Sequence, residues 1–183
     1  MKLLSCSDKD LHQEEINIVW LKRDIRSQDH LPLQQAEQEG LPYLILFIFE
    51  PKLIRSEDTS VRHLQFQYHS ILDLDKTLSF YGKKVTLFYG EAMEVFSFMN
   101  KKFRVRKILS YQESGTAITY ARDRAVASFC KEHKISWVQY QRDGIVRGIK
   151  NRKDWDQKWH EHVNQELVCN AYSYRPHPAF ENP

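Results

Sequence analysis

The chain has 183 residues, of which 42% are hydrophobic and 28% are charged, and its formal net charge is +3. This length is that of one ordinary domain with a buried core, and the composition is that of a globular protein rather than a disordered one. So small a net charge does not by itself indicate nucleic-acid binding, which would need a local basic cluster.

Three further features bear on location. The longest apolar run, residues 41–49, is far too short to span a membrane and is predicted to be a buried strand. Residues 1–15 carry four acidic side chains, so we interpret them as a flexible extension and not as a secretory signal. The three cysteines are widely spaced and form no CxxC pair, which favours a reducing, cytoplasmic setting.

The first predicted strand, residues 16–21, is apolar at almost every position. Such a run suits a strand that is buried on both faces of a parallel sheet. Four charged residues follow it closely: Lys22, Arg23, Asp24 and Arg26. They would lie at the carboxyl end of the strand, where open α/β sheets bind their ligands.

Helices and strands then alternate along the chain. A short helix ending at Gly40 leads to a second apolar strand at 42–49, which puts Glu50 at a carboxyl end. Further strands are predicted at 84–89, 107–112 and 135–140, the last one alternating in polarity and therefore nearer an edge. This order predicts an α/β fold, a Rossmann-like or flavodoxin-like open five-stranded parallel sheet with helices on both faces, over residues 16–141.

The intervening helices are predicted from apolar residues at three- and four-residue spacing. The predicted buried stripes are Val61, Leu64, Tyr68, Ile71, Leu72 and Leu78 in one helix, Ala92, Phe96, Met99 and Phe103 in the next, and Ile118, Ala121, Ala125 and Phe129 in the third.

Residues 142–183 differ in composition from the predicted α/β domain. A glycine-containing basic loop precedes a helix that Asp154 would cap, and the aromatic, proline-rich tail is predicted to be an extended connector that reaches no further folded element. The candidate contact residues here are Arg142, Arg147, Lys150, Arg152, Trp155 and Trp159. They would form either an interdomain surface or contacts with nucleic-acid phosphates.

Several motifs are absent from the sequence. There is no GxGxxG and no GxxxxGK[ST], which argues against an NAD enzyme or a P-loop ATPase. His160 and His162 are two residues apart, so on a helix they would point in different directions and would not share a metal ion. No metal site is therefore predicted.

The eleven residues from Trp20 to His30, Trp-Leu-Lys-Arg-Asp-Ile-Arg-Ser-Gln-Asp-His, carry a family resemblance. They resemble the opening signature of the DNA photolyase and cryptochrome family, in which an aromatic-rich strand precedes Arg-Asp-Leu-Arg and an Asp-Asn or Asp-His pair. The match to this signature is ungapped, and the resemblance as a whole covers roughly residues 16–159. It implies the same Rossmann-like domain, followed in the parent protein by a larger helical domain that binds FAD and the DNA lesion.

In such a photolyase, light-excited reduced FAD gives an electron to a flipped-out pyrimidine dimer and splits it. The helical domain is not in these residues, so the resemblance implies that this chain alone binds no FAD and repairs no DNA. Its expected partners are that helical domain of the same polypeptide and, through it, damaged DNA. DNA repair and blue-light signalling both remain open as functions of the parent protein.

The family's N-terminal domain holds at most an antenna pigment, which passes excitation energy onward. The candidate antenna-pocket residues are Arg23, Asp24, Arg26, Glu50, Gln112 and Glu113. The charges after the first strand also fit a structural ion-pair network that locks its turn, and the two roles are compatible. Folate-using members carry an Asn-Glu pair where this chain has Ile118-Thr119, which argues against folate and leaves a deazaflavin, a flavin or no antenna.

Two functions of other classes compete with this interpretation. The first is a stand-alone nucleotide-binding or stress-type α/β module, which a glycine-rich phosphate loop would favour. The second is a protein-interaction module that uses the basic loop and the aromatic tail, and it predicts a protein partner and no pigment.

Overall fold

A computed structural model describes residues 13–145 and 151–180. The strands in these ranges are β1 (Glu15–Leu21), β2 (Tyr43–Phe49), β3 (Val85–Tyr89), β4 (Arg104–Tyr111) and β5 (Ser136–Tyr140). The helices are α1 (Leu31–Glu39), α2 (Pro51–Ile54), α3 (Val61–Ser79), α4 (Ala92–Lys102), α5 (Ala117–Glu132) and α6 (Trp155–Val163). Every predicted element is present, and the one-turn α2 is an addition. None of the helices described is both long enough and apolar enough to cross a membrane.

The five strands form one parallel sheet in the order β3-β2-β1-β4-β5. This arrangement confirms the predicted Rossmann-like α/β fold, with the half-buried β5 at an edge. β1 lies at the centre, and the strand order reverses between β1 and β4. In open α/β sheets the crevice at such a reversal, outside the carboxyl ends of the strands, is the usual ligand site.

The core has two layers because successive side chains of β1 point to opposite faces of the sheet. Ile18 and Trp20 pack under α4 and α5, whereas Val19 and Leu21 pack under α1 and α3. β1 is thus buried on both faces, as its apolar sequence predicts.

The buried face of α5 is the predicted one only near its C-terminal end, where Phe129 is buried. Ile118, Ala121 and Ala125 are exposed, and the side chains turned inward include the polar Thr119 and Asp123. The physical reason is that the first half of α5 packs against a charged end of the sheet and not against the apolar core.

The buried stripe of α3 is also shorter than predicted. Val61, Tyr68 and Leu72 are 69%, 47% and 46% exposed, whereas Ile71 and Leu78 are buried as expected. The first half of α3 borders a cavity, and only its second half contributes buried side chains to the core.

Residues 164–180 contain no helix or strand, yet they lie along the α/β domain. The Asn170 side chain accepts a hydrogen bond from the His30 backbone N–H and donates one to the His30 carbonyl, both at 2.9 Å. Farther along, Lys83 donates to the Ser173 carbonyl and Phe180 stacks on Phe88. The segment predicted to be an extended connector therefore packs on the α/β domain over its described length.

Candidate functional site

A cavity of about 620 Å³ opens at the carboxyl ends of β1 and β2. Its walls come from these strand ends, from the loop after β4, from α2 and α3, and from the first turns of α5. This position is the crevice that the reversal of strand order creates. The volume lies within the range of pockets that bind small organic molecules.

The α2–α3 side of the cavity combines apolar and polar side chains, and the titratable ones among them are Asp58 and His63. It is formed by Leu53, Ile54, Ser56, Thr59, Leu64, Phe66 and Gln67 among others. Phe66 is 74% exposed although it is large and apolar. Its ring borders the cavity and offers a flat surface on which a planar ligand can pack.

Arg122 of α5 is at the centre of the opposite wall. Its Nη1 lies 2.7 Å from a Glu50 oxygen, and its Nη2 lies 2.6 Å from a Glu113 oxygen and 2.8 Å from an Asp123 oxygen. The guanidinium also lies over the Trp20 ring, with its carbon 4.9 Å from the ring centre. Burial alone would lower the pKa of Arg122, but the three carboxylates raise it, so this buried side chain is a permanent cation.

The two glutamates that share Arg122 differ in their electrostatics. For Glu113, burial is outweighed by Arg122, Lys22 and Arg23, which together hold its pKa below the usual value. For Glu50, burial raises the pKa, because Arg122 offsets the loss of water only in part and the charge of Glu91 adds to it. Glu113 is therefore the more firmly ionised of the two.

Lys22 is the second buried cation of this wall. Its Nζ lies 4.3 Å from the centre of the Trp20 ring and 3.4 Å from an Asp123 oxygen, and the side chain is only 5% exposed. Burial lowers the pKa of Lys22 to about 8, although the charge of Asp123 opposes this shift. Arg23, which is half-exposed, completes the set through a 3.0 Å bond from its Nε to Glu113. We call the six residues the charged cluster: Lys22, Arg23, Glu50, Glu113, Arg122 and Asp123.

Three of the six candidate antenna-pocket residues line the cavity, namely Arg23, Glu50 and Glu113. The cluster residues Arg122, Asp123 and Lys22 were not among the candidates. A basic-acidic pair in the middle of a helix has the pattern of a solvated face, so the sequence carried no sign that Arg122 and Asp123 lie inward.

Asp24 lies in the turn after β1 and does not line the cavity. One of its oxygens accepts from the backbone N–H groups of Lys22 and Arg23, at 3.0 and 3.1 Å, and the other bonds to Nε2 of His30 at 2.8 Å. Nδ1 of His30 in turn accepts from the N–H of Leu33 and caps α1. His30 thus links the turn after β1 to the start of α1.

The other two candidates also point elsewhere. Arg26 pairs with Asp29 at the surface, at 3.0 Å. The backbone N–H of Gln112 donates to the carbonyl of Tyr140 and so extends the pairing of β4 with β5. Neither residue lines the cavity.

Of the candidate contact residues after β5, the four that the structure describes do not line the cavity. Arg142 pairs with Asp143, Arg152 is exposed, and Arg147 and Lys150 fall outside the described residues. Trp155 and Trp159 of α6 are 41% and 38% exposed. Trp159 packs on the loop after β5 so closely that a side chain at Gly144 would collide with its ring.

The histidines of α6 do not converge on a shared centre. His160 faces Asp156 one turn earlier, with its Nδ1 3.4 Å from a carboxylate oxygen. Across residues 13–145 and 151–180, no group of three or more metal-ligating side chains comes together.

Comparison with known proteins gives a consistent result. A family model described as DNA photolyase matches residues 17–161. The deoxyribodipyrimidine photo-lyase of Buchnera aphidicola subsp. Acyrthosiphon pisum (strain APS) is 25% identical in an alignment 174 residues long, which covers 87% of this chain and 34% of that protein. Cryptochrome-1 of Aedes aegypti is 25% identical in an alignment 129 residues long, which covers 67% of this chain and 24% of that protein.

A solved structure agrees with these matches. The crystal structure of an archaeal photolyase from Sulfolobus tokodaii with two FAD molecules superposes with a TM-score of 0.72 at 25% identity, over 88% of this chain and 38% of that one. The chain thus spans only about a quarter to a third of the length of these curated relatives.

Proposed function

Because this chain belongs to the DNA photolyase family, we propose that it is the N-terminal, antenna-type domain of a light-dependent flavoprotein. The parent protein repairs pyrimidine dimers or signals in response to blue light. FAD and damaged DNA are bound by a helical domain of the same polypeptide. This chain is not catalytic by itself. It binds a planar antenna pigment in the cavity at the carboxyl ends of β1 and β2.

The observation that carries the proposal is the cavity of about 620 Å³ at the reversal of strand order. Its residues fit a planar heteroaromatic group: Phe66 and Leu64 offer apolar contact area, and Gln67 and Thr119 offer hydrogen-bonding groups for ring heteroatoms. When bound, the pigment supplies the absorption of light. The side chains of the chain bind it, orient it and exclude water from its faces.

The pigment is a deazaflavin or a flavin rather than a folate. At the positions where folate-using members carry Asn-Glu, Ile118 is 39% exposed and Thr119 is buried at the cavity wall. The Thr119 hydroxyl already donates to the carbonyl of Thr116. This pair therefore offers no carboxylate for a pterin ring.

The proposal is tested by titrating the chain with a flavin and with a deazaflavin and following the quenching of their fluorescence. We expect saturable one-to-one binding. Phe66→Ala should weaken binding about tenfold, because it removes a ring that borders the cavity. Phe80→Ala is the matched control, since Phe80 is equally exposed (78%, against 74% for Phe66) but does not line the cavity.

Equal effects of the two substitutions, or no binding at all, would contradict the pigment site. Tighter binding of an adenine nucleotide than of either pigment would favour the stand-alone nucleotide-binding module. Retention of stoichiometric FAD through gel filtration would contradict the assignment of FAD to another domain.

We also propose that residues 142–159 form an interdomain surface. Trp155 and Trp159 are large, partly exposed rings that would pack on the helical domain, and Arg142, Arg147, Lys150 and Arg152 precede them in sequence. Binding of DNA by this chain alone, with a steep salt dependence, would favour phosphate contacts instead. We place the protein in the cytoplasm, because the cysteines in the described ranges, Cys130 and Cys169, are both unpaired.

A further inference from the structure

The charges around the cavity are balanced within the chain itself. From this balance we infer that the site takes a planar ligand without a phosphate group. The inference rests on the proposed function and narrows its ligand to an uncharged chromophore, such as a nucleoside-like flavin or deazaflavin, and away from a flavin nucleotide.

The first observation is that the cations of the cavity wall already have partners. In the part of the chain that the structure describes, the Lys and Arg residues that line the cavity are Lys22, Arg23 and Arg122. Each of them lies within 3.4 Å of a carboxylate of the charged cluster. A phosphate could bind Lys22 or Arg122 only by displacing a buried carboxylate, which would then lose its own partner.

Arg23 differs from the other two cations because 54% of its side chain is accessible to water. Its attraction for an anion is therefore screened by solvent and salt. It also carries one bond to Glu113 through Nε. Arg23 alone is a weak basis for holding a phosphate at the rim.

The second observation concerns the helix N-termini, where proteins often bind phosphates. α3 and α5 both begin at the cavity, and a carboxylate of this chain is near each start. Asp58 precedes the Ser60 cap of α3 by two residues and lines the cavity. Glu113 precedes α5, and its oxygen lies 3.3 Å from the point that a Cβ on Gly115 would occupy. The anion-binding capacity of both helix ends is thus offset by charges of the chain.

The lining charges add up to no surplus of positive charge. With histidine counted as neutral, Lys22, Arg23 and Arg122 are matched in number by Glu50, Asp58 and Glu113, and Asp123 is bonded to Lys22 and Arg122. The other titratable residue in the lining is His63. A phosphate dianion would enter surroundings that are neutral to negative, where like charges are repelled. An uncharged ring system has no such penalty.

Riboflavin and FMN test the inference directly, because they differ by one phosphate group. We would titrate the full chain with each, at low and at high salt, and follow flavin fluorescence. Riboflavin should bind at least about tenfold more tightly than FMN. The affinity for FMN should rise with salt, because screening weakens repulsion.

The opposite salt dependence of FMN binding would overturn the inference. FMN that binds as tightly as riboflavin, with an affinity that falls with salt, would show that a cation holds the phosphate, and the proposed pigment site would still stand. Binding of neither flavin would overturn the inference together with the flavin form of the proposed function.

A pair of neighbouring acidic residues provides the matched variants. Asp58 and Glu57 are both exposed in the segment before α3, but only Asp58 lines the cavity. Asp58→Asn should reduce the preference for riboflavin about threefold, whereas Glu57→Gln should leave it unchanged. If the preference for riboflavin over FMN were the same in both variants and in the wild type, the acidic lining would not be its cause.

Discussion

The turn after β1 and the cavity wall beside it both bury charged groups, but they use them differently. In the turn, Asp24 is bonded to two backbone N–H groups and to His30, which the tail in turn binds through Asn170. In the wall, the charges of Arg122 and its partners are bonded mainly to one another and face an open volume. A charge bonded to the backbone, such as Asp24, holds the conformation of its turn. Charges that pair with one another beside a cavity also determine whether the cavity favours a charged or an uncharged ligand.

The difference extends to protonation. Burial alone would raise the pKa of Asp24, but hydrogen bonds from His30 and from the Lys22 backbone hold it below its usual value. In the wall, burial dominates for Glu50 and Lys22, and their pKa values move towards their neutral forms. Through Lys22, whose pKa is about 8, the wall responds to pH around and above that value.

The largest expected effect is that of Arg122→Met on the wall. It leaves three carboxylates without their shared cation, so we expect the free energy of unfolding to fall by about 3–5 kcal/mol. Urea denaturation measures this loss. Arg124→Met, on the exposed side of the same helix, is the control and should cost less than about 0.5 kcal/mol. Equal stabilities of the two variants would contradict the central role of Arg122.

The next effect is a pH dependence that arises from Lys22. Its pKa is about 8 in the folded chain and 10.5 in the unfolded chain. Between these values the unfolded state binds more protons, so raising the pH from 8 to 10.5 stabilises the fold through this group, by about 3 kcal/mol in full. Below pH 8 both states are protonated and the cost of the buried charge remains.

Unfolding free energies at pH 7, 8, 9 and 10 would show this rise as a difference between the wild type and Lys22→Met. The rise should be absent from the variant. Parallel pH profiles for the two proteins would show that Lys22 does not titrate in this range.

Asp24→Ala tests the turn. It removes the acceptor of two N–H groups and of His30, and we expect a loss of about 2–3 kcal/mol in the free energy of unfolding. Flavin affinity of the folded protein should stay within about twofold, because Asp24 does not line the cavity. Asp73→Ala, at an exposed position of α3, is the control. If the melting temperature were unchanged and flavin binding were lost, Asp24 would have a role in ligand binding and not in stabilising the turn.

The smallest effect is expected from Asn170→Ala, which separates the tail from the turn. The two hydrogen bonds to His30 contribute about 1–2 kcal/mol together. Limited proteolysis after residue 164 should accelerate, while the fold of residues 13–145 is kept. A cleavage rate equal to that of the wild type would show that the tail is held mainly by its other contacts.

Most of the fold could be predicted from local sequence patterns. β2 is apolar throughout, and β1 is apolar except at Glu15 and Asn17. Gly40 ends α1 with a positive φ of 73°, a conformation that glycine adopts without strain. The strand order could not be predicted, because pairing such as that of Ile18 with Ile108 joins residues that are far apart in the chain. Rossmann-like and flavodoxin-like orders share the same local pattern.

The site could be predicted only in part. The carboxyl end of β1 was located correctly, but adjacent residues there have opposite roles: Arg23 lines the cavity and Asp24 is bound in the turn. Arg122 could not be found, because its partner Glu50 is on another element. The spacing of apolar residues predicts that Ile118 lies on the buried face of α5. In the structure Ile118 is exposed, because Thr119 and Asp123 occupy the inward face there.

The central position of β1 has a consequence for how the chain folds during synthesis. Ile18 can pair with Leu44 early, but its second neighbour, Ile108, emerges from the ribosome much later. Until then β1 has one unpaired edge, and Glu50 lacks its partner Arg122. Exposed strand edges of this kind promote aggregation. A chain interrupted before β4 should therefore associate with other chains rather than fold, and chaperone capture at that stage would protect it.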